Sequence, residues 1–400
     1  MIFGVLTIQE AQSIVLAATR PLPSEEVALA DAHRRVLAED VIAANDVPPF
    51  DNSAMDGYAV RGSGLTEFAV VGESRAGAPY DGEIGEGEAV VISTGAAVPA
   101  GAEAVVPVER VEKSTAVGDF SARIVAAGAI HPGDHVRRSG EDQRAGTTVL
   151  HAGTRLGPAE LGVAAGAGRA GVSVAQRPRV AIVATGDELV APGEPLEPGQ
   201  IHETNALSLA ALAATQGATV TASLRAPDDH DATRDTLHSA LENADVLIVS
   251  GGVSVGPHDH VKPALLELGV EERFWRVALR PGKPTWFGTR DGTLVFGLPG
   301  NPVSAQVTFL LFARPALQAL QGNPAPAKSL RLPLAAAAAR HPDRDEALRV
   351  RITPDGLAET TGPQGSHQLL SLAGADGLAM IPQGDGELPA GTVVDVLLLA

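Results

Sequence analysis

The sequence predicts a multidomain α/β plus β fold, and three observations carry that expectation. From Arg179 to about Gly322, apolar strand-like runs (VAIVA, TVTASL, DVLIVS, LVFGLP) alternate with helix-like ones (ALSLAALAATQG, DATRDTLHSALENA, VSAQVTFLLFARPALQAL). Such alternation predicts a mostly parallel sheet covered by helices, with ligands beyond the carboxyl ends of its strands. On either side the texture changes to short β-prone runs broken by Gly and Pro, FAVVG, AVVIST and AVVPVE before it and EALRVRI, GLAMIP and TVVDVLLL after it, as in small all-β domains. Finally, 400 residues at 44% hydrophobic exceed one core, since domains average about 150 residues.

Taken in order, TIQEAQSIVLAAT has helical apolar spacing, and VALADAHRRVLAED predicts a second helix after the breaker Arg20-Pro21-Leu22-Pro23. Residues 1–46 and 140–177 are expected to form a helical and mixed scaffold domain, 47–139 a β-rich insert, 178–325 the α/β domain and 326–400 a small C-terminal β-barrel. Thirty Lys plus Arg against 48 Asp plus Glu give a net charge of −18, which argues against nonspecific binding to nucleic acid or anionic lipid. Any anionic ligand then needs a local basic pocket. The chain has no cysteine, which removes disulfides, thiolate catalysis and Cys-ligated metal sites and leaves oxygen and histidine donors suited to Mg²⁺. With no leader and no apolar run of about 18 residues read in it, a soluble cytoplasmic protein is expected.

The stretch ADVLIVSGGVSVGPHDHVK, Ala244 to Lys262, is the richest in chemistry. A strand enters a glycine turn in which Gly251, Gly252, Ser254 and Gly256 let main-chain N–H groups approach a phosphate, and Asp259 and Lys262 follow. It is neither a P-loop nor a dinucleotide fingerprint. In GLPGNPVS, Pro299, Gly300, Asn301 and Pro302 form a strand-to-helix turn, with Asn301 as the expected N-cap and Pro302 at the first helical position. Alone this is an ordinary connection; beside GGVSVG it would open on the same sheet edge. RPGKP carries Arg280, Lys283 and Pro284 on a rigid turn suited to an oxyanion, although composition alone favours a solvated surface turn.

In TGDEL, Asp187 and Glu188 stand where ligand-facing loops begin, either to hold a heterocycle, sugar or Mg²⁺ or to favour a helix dipole. Of Asp228 and Asp229, one is expected to cap the helix that follows. His258-Asp259-His260 is a poor metal triad, because adjacent residues rarely converge on one ion; Asp259 near a phosphate, through Mg²⁺ or a water, is the better reading. Asp51, Asn52, Ser53 and Asp56 crowd PFDNSAMDGYAVR, either as Asx-turns or facing a ligand held elsewhere, and Thr94 and Asp142 share that ambiguity.

Together FDNSAMDGYAVR, STGAAVPAGAEAVVPVE, GED, TGDEL with PGEPLEPGQIHETN, SGGVSVGPHDHVK, RPGKP and GLPGNPVSA resemble, in order and over nearly the whole chain, the molybdopterin molybdenumtransferase family. These are the MoeA-type enzymes of molybdenum cofactor synthesis, related to the gephyrin E domain. The resemblance implies an elongated homodimer of four-domain subunits with a three-layer α/β domain like those of MogA and MoaB. It also implies an active site between the α/β domain of one subunit and the insert of the other. The implied reaction converts adenylylated molybdopterin and molybdate, with Mg²⁺, to molybdenum cofactor and AMP, the substrate being handed over by an adenylyltransferase-type protein.

Carried over by position, the acidic site residues are Asp56, Asp142, Glu188, Asp228 (with Asp229 as competitor) and Asp259, with Thr94 beside them. Mg²⁺ falls near Asp259, Glu188 and Asp228. The substrate falls on Gly251, Gly252, Ser254, Gly256, Lys262, Arg280, Pro299, Gly300, Asn301 and Pro302. Molybdate falls on Lys283, Pro284, Ser304 and Arg349, with Arg351 as competitor. Arg280 departs from the lysine usual in RPGKP, and His258 and His260 are unusual neighbours of Asp259. Two rival readings remain: a noncatalytic pterin-binding scaffold, and an enzyme of the preceding adenylylation step.

Overall fold

The computed structural model describes residues 4–113, 123–252, 260–323 and 328–399, in two compact units. One holds Glu26–His33 and Glu39–Val172; the other holds Met1–Glu25, Arg34–Ala38 and Ser173–Ala400.

The first unit is built on a six-stranded sheet ordered Ala104–Pro107, Gly57–Val60, Glu88–Ile92, Glu67–Ser74, Arg123–Ala126 and Val111–Lys113. One parallel pair, Glu67–Ser74 with Glu88–Ile92, interrupts otherwise antiparallel pairing. Apolar residues on one face, Tyr58, Val60, Phe68, Val70 and Ile124, close one core, while Ala59, Ile92 and Val105 close another on the opposite face. This period-two split is what short β-branched runs produce when both faces are covered. Beside the sheet, the Asp51 carboxylate accepts from the Ser139 N–H at 2.8 Å and pairs with Arg138, which makes it a turn-building residue.

The second unit carries the predicted α/β layer structure. Its sheet runs Thr219–Ala226, Arg179–Thr185, Val246–Ser250, Thr293–Leu298, Trp286–Arg290, Glu271–Trp275. The first four strands are parallel and the last two antiparallel. Val246–Ser250 is buried along its whole length and alternates sides: Val246 and Ile248 face one layer, Leu247 and Val249 the other. Helices His230–Leu241 and Val261–Glu267 cover the second face through Leu237, Leu241, Ala264 and Leu265. The first face is covered by Asn205–Thr215 and by a long helical run from Pro302 to Leu320 that passes through a π-helical segment, Phe309–Ala313. Among the described residues that run, read from the sequence as a helix but not as an apolar run of about 18 residues, is the one helix with the length and apolarity of a membrane span. It is 78% buried within the protein, where it serves as a core helix.

The N-terminal helix was expected in the scaffold with residues 140–177, and here the structure differs. Ile8–Ala18 starts with a capping box between Thr7 and Glu10, and its buried face, Ile8, Ala11 and Val15, joins the α/β core with Phe309, Phe312 and Leu317. The apolar spacing specified the helix but not its partner. The second predicted helix does not form: Val27–Asp40 contains the end of strand Ser24–Ala28, a 3₁₀ turn at Leu29–Asp31, a turn with Arg34 at φ +63°, and a bridge from Leu37 to Val174. Its Ala32, Val36 and Leu37 are buried, but Val36 and Ala38 make main-chain bonds to the strand Gly171–Ala175, and the left-handed Arg34 interrupts any helical run.

The C-terminal sheet orders Leu279–Arg280, Asp345–Ile352, Gly377–Ile381, Val393–Leu398 and Ser329–Pro333, with Ala358–Thr360 beside Asp345–Ile352. Leu348, Val350, Ala379, Ile381, Val394 and Val396 form its core. Its first strand comes from the α/β segment: Leu279 and Arg280 pair in parallel with Asp345 and Glu346.

Ile8→Ala removes a 4% exposed side chain from the α/β core and is expected to cost about 2–4 kcal/mol of unfolding free energy, read by urea denaturation. Docking of this helix elsewhere would leave the α/β transition unmoved. The Ser139 N–H holds the Asp51 carboxyl below the usual carboxylate range. Its stabilisation of the first unit is therefore complete above about pH 4 and lost as pH falls further. Comparing Asp51→Asn with the parent at pH 7 and near pH 3 should show a difference that shrinks at the lower pH.

Candidate active site

The strand order places a topological switch between Arg179–Thr185 and Val246–Ser250, whose following connections leave in opposite directions. A cleft of about 530 Å³ opens there, beyond the carboxyl ends of the strands. Glu188, Asp228, Gly251, Gly252, Gly300 and Asn301, all expected from the sequence, line it.

The two glycine turns are locked together. Gly251 has φ +92° and Gly252 φ +62°, and an added Cβ would lie 2.6 Å from Thr185 Oγ1 at the first and 2.4 Å from Val261 Cγ2 at the second. Only glycine fits either position. The Gly251 N–H donates to the Leu298 carbonyl at 3.0 Å, so it ties the two turns and is not free for a ligand. Gly300 sits against Gly251, at 3.6 Å from its Cα to an added Cβ. Pro299 is buried beneath the turn; Pro302 opens the helix behind Asn301, which takes the N-cap place without a side-chain cap bond. Ser254, Gly256 and Asp259, with His258, lie outside the described residues.

The acidic turns interlock as well. The Asp228 N–H donates to Asp187 Oδ1 at 3.2 Å, and the Asp187 N–H donates to Asp228 Oδ2 at 3.4 Å. Asp229 instead caps His230–Leu241 through the Ala232 N–H at 2.9 Å, so of the two neighbours it is Asp228 that faces the cleft. Among the described residues no three His, Asp or Glu side chains converge as a ready-made cation site.

Two expected substrate contacts have other partners. Lys262 Nζ lies 2.7 Å from Glu272 and 4.5 Å from the centre of the Trp275 ring, which also carries the Arg276 guanidinium at 4.0 Å. Its charge is thus neutralised on the edge strand of the sheet. Arg280 stands 3.5 Å from Glu346 across the parallel pair that joins the α/β segment to the C-terminal sheet.

A second cluster forms around the start of the helix Pro302–Thr308. Ser304 is buried in its first turn, and the Val303 N–H donates to the Ser366 carbonyl at 3.1 Å. The same loop receives the buried Arg349 guanidinium, which donates to the carbonyls of Pro363 (3.2 Å) and Gly365 (3.0 Å) and to Ser371 Oγ (3.1 Å). Burial pushes Arg349 below the usual arginine range while Glu346 acts in the opposite direction. Arg351, its competitor, is exposed and paired with Glu359. RPGKP reaches the same helix: Gly282, at φ +127°, leaves 2.6 Å from an added Cβ to Thr308 Cγ2, and Thr308 Oγ1 donates to the Ser304 carbonyl. Lys283, next on that turn, is exposed, and Pro284 half-buried.

In the first unit, Asp56 and Thr94 are brought together, the Thr94 N–H donating to Asp56 Oδ1 at 2.7 Å with both side chains exposed. Asp142 is also exposed and lines a separate hollow beside Gly140 and Arg144. Sequence reasoning passed over Thr185, Glu203, Asn205 and Ser250, which line the cleft too. Their available signal was position, at strand ends and at the start of a helix in HETN.

Three family models match consecutive parts of the chain: the MoeA N-terminal region (domains I and II) over residues 6–168, the probable molybdopterin binding domain over 181–319, and the MoeA C-terminal region (domain IV) over 331–399. The chain is 40% identical to molybdopterin molybdenumtransferase 2 of Mycobacterium tuberculosis, covering 98% of both proteins. This chain belongs to the molybdopterin molybdenumtransferase family. It is also 39% identical to the Haemophilus influenzae member over 80% of this chain and 78% of that protein. Two structures of a molybdopterin biosynthesis MoeA protein from Pyrococcus horikoshii match 99% of this chain and 100% of theirs, with TM-scores of 0.81 and 0.84 at 31% and 29% identity.

Because Asp229 caps a helix, Asp229→Ala should lower stability by about 1 kcal/mol and leave ligand affinity at the cleft unchanged. Loss of affinity with unchanged stability would exchange the roles assigned to Asp228 and Asp229.

Proposed function

We propose that this protein transfers molybdenum from molybdate to adenylylated molybdopterin, releasing AMP and leaving molybdenum cofactor. The supporting observation is that the glycine-lined cleft and the Ser304–Arg349 cluster share one strand-to-helix connection. Gly300 and Asn301 line the cleft, and Ser304 lies about one helical turn, roughly 5 Å, further on. A phosphate-bearing pterin bound at the first place would present its far end near an oxyanion held at the second.

The chemistry of each place suits its part. Gly252, Gly300 and Asn301 leave backbone close to the ligand, as phosphoanhydride oxygens require. Arg349, already held by three acceptors, is a fixed positive charge beside Ser304, and Lys283 adds a mobile one; together they suit a small tetrahedral dianion. With no cysteine in the chain, sulfur ligands for molybdenum come from the dithiolene of the substrate. Glu188 and Asp228 offer the hard oxygen donors that Mg²⁺ takes, one or two carboxylates with substrate phosphates and water completing its shell. When bound, Mg²⁺ neutralises charge on the anhydride being cleaved. Glu188 and Asp228 would hold that cation beside the glycine turns, and Asp259 is assigned the orienting of the attacking water.

In this reading two copies work together, with the exposed Asp56–Thr94 pair and Asp142 of one subunit supplied to the cleft of the other. The first unit would thereby carry carboxylates without a phosphate cradle of its own. An adenylyltransferase-type protein supplies the substrate.

The test is AMP release from adenylylated molybdopterin with and without molybdate, followed by reconstitution of an apo-molybdoenzyme. Molybdate-dependent release with active cofactor is expected; release indifferent to molybdate, or consumption of ATP, would remove this assignment. Ser304→Ala and Arg349→Lys should each raise the molybdate concentration for half-maximal rate by about tenfold or more while substrate affinity holds.

A further inference from the structure

Two polar side chains on the cleft floor are unused in the reaction above. Asn205, 8% exposed, begins the helix Asn205–Thr215; its Nδ2 donates to Ser250 Oγ at 2.8 Å and to the Gly300 carbonyl at 2.7 Å. A carbonyl only accepts, so the Gly300 bond fixes which end of the amide faces it, and both amide protons are spent. The remaining Oδ1 is buried without a hydrogen-bond partner among the described residues. Burying an unmet acceptor costs stability, so the place of this side chain is set by its two donor bonds.

Ser250, 2% exposed, is the last residue of Val246–Ser250 and immediately precedes Gly251 and Gly252. Its oxygen accepts from Asn205, and its own proton has no acceptor among the described residues, although the residue lines the cleft. A hydroxyl whose oxygen already accepts is left with its proton to give.

We propose that Asn205 is a positioning residue and Ser250 a ligand donor. Asn205 holds the Ser250 and Gly300 turns at fixed separation and directs the Ser250 hydroxyl proton to a phosphate oxygen in the cleft. The identity of the phosphate compound rests on the function proposed above; the phosphate oxygen as acceptor rests on the geometry of the cleft. Asn205 reaches the ligand only through Ser250 and the Gly300 turn.

The experiment titrates AMP into the wild type and into Ser250→Ala, Asn205→Ala and the double variant by calorimetry, and measures KM and kcat for AMP release. Ser250→Ala should weaken AMP binding by about tenfold to a hundredfold, the range for a hydrogen bond to a charged group, and appear as a raised KM more than a lowered kcat. The double variant should bind no worse than Asn205→Ala alone, because the two act in series. Asn205→Asp, which sets a carboxylate against the Gly300 carbonyl, should lose more than Asn205→Ala. Unchanged AMP affinity in Ser250→Ala overturns the proposal, and so do additive losses accompanied by a lowered unfolding temperature, since these mark a structural role. If the wild type binds AMP and the variants lose it while molybdate-dependent release is absent, the reaction fails and this inference stands. If the wild type turns over and Ser250→Ala does so with unchanged KM, this inference alone fails.

Discussion

The hydrogen bond from the Gly251 N–H to the Leu298 carbonyl is the constraint on which the site depends. It joins the ends of two neighbouring parallel strands, Val246–Ser250 and Thr293–Leu298, just where each turns away from the sheet. Without it the two turns would be independent loops, each free to sample its own conformations. With it, Gly300 is seated within van der Waals reach of Gly251, which Thr185 and a φ of +92° in turn restrict to glycine. The anchoring is rigid because the strands beneath are buried on both faces, and close-packed interiors deform little. Precision in the loops is therefore inherited from apolar packing far from any ligand.

Charge is distributed along the same logic. The protein is strongly acidic as a whole, yet Arg349, among the described residues the most deeply buried arginine, is held by carbonyls beside the helix start that carries Ser304. Burying a guanidinium costs desolvation energy, and here three hydrogen bonds to neutral acceptors offset part of that cost without cancelling the charge. Arg280 and Lys262 show the contrasting arrangement, in which a carboxylate neighbour removes the net field. Local partners thus separate these cations more sharply than sequence position does.

Much of this was legible in the sequence, and the limits are physical. The alternation of apolar strands and helices identified the α/β layers, because periodicity reports burial directly. The glycine turns were visible since few other residues fit their backbone. Val27–Asp40 misled, as its Ala32, Val36 and Leu37 are buried by an irregular segment bonded to the strand Gly171–Ala175, and apolar spacing alone does not tell that from a helix. The N-terminal helix was found and assigned to the wrong neighbours, for an amphipathic stripe states that a partner exists without naming it. Asn205 and Ser250 went unnoticed because a single amide or hydroxyl carries no pattern; their meaning comes from bonds between positions 45 and 95 residues apart. Asp228 and Asp229 were indistinguishable until the cap on Ala232 separated them.

The seating of the N-terminal helix against the π-helical segment has a consequence for how the chain is made. Gln12 Nε2 donates to the Leu311 carbonyl across 299 residues of sequence. A ribosome adding about 5–20 residues per second delivers the two partners some tens of seconds apart. During that interval the helix Ile8–Ala18 has an apolar face and no place to bury it, while the first unit can fold between the two events. The α/β core can close only after the run Pro302–Leu320 has been made, so a helix synthesised before the whole first unit reaches its final packing after it. That order exposes the growing chain to chaperones and to misassociation through its first helix, a vulnerability set by connectivity and absent from the finished fold.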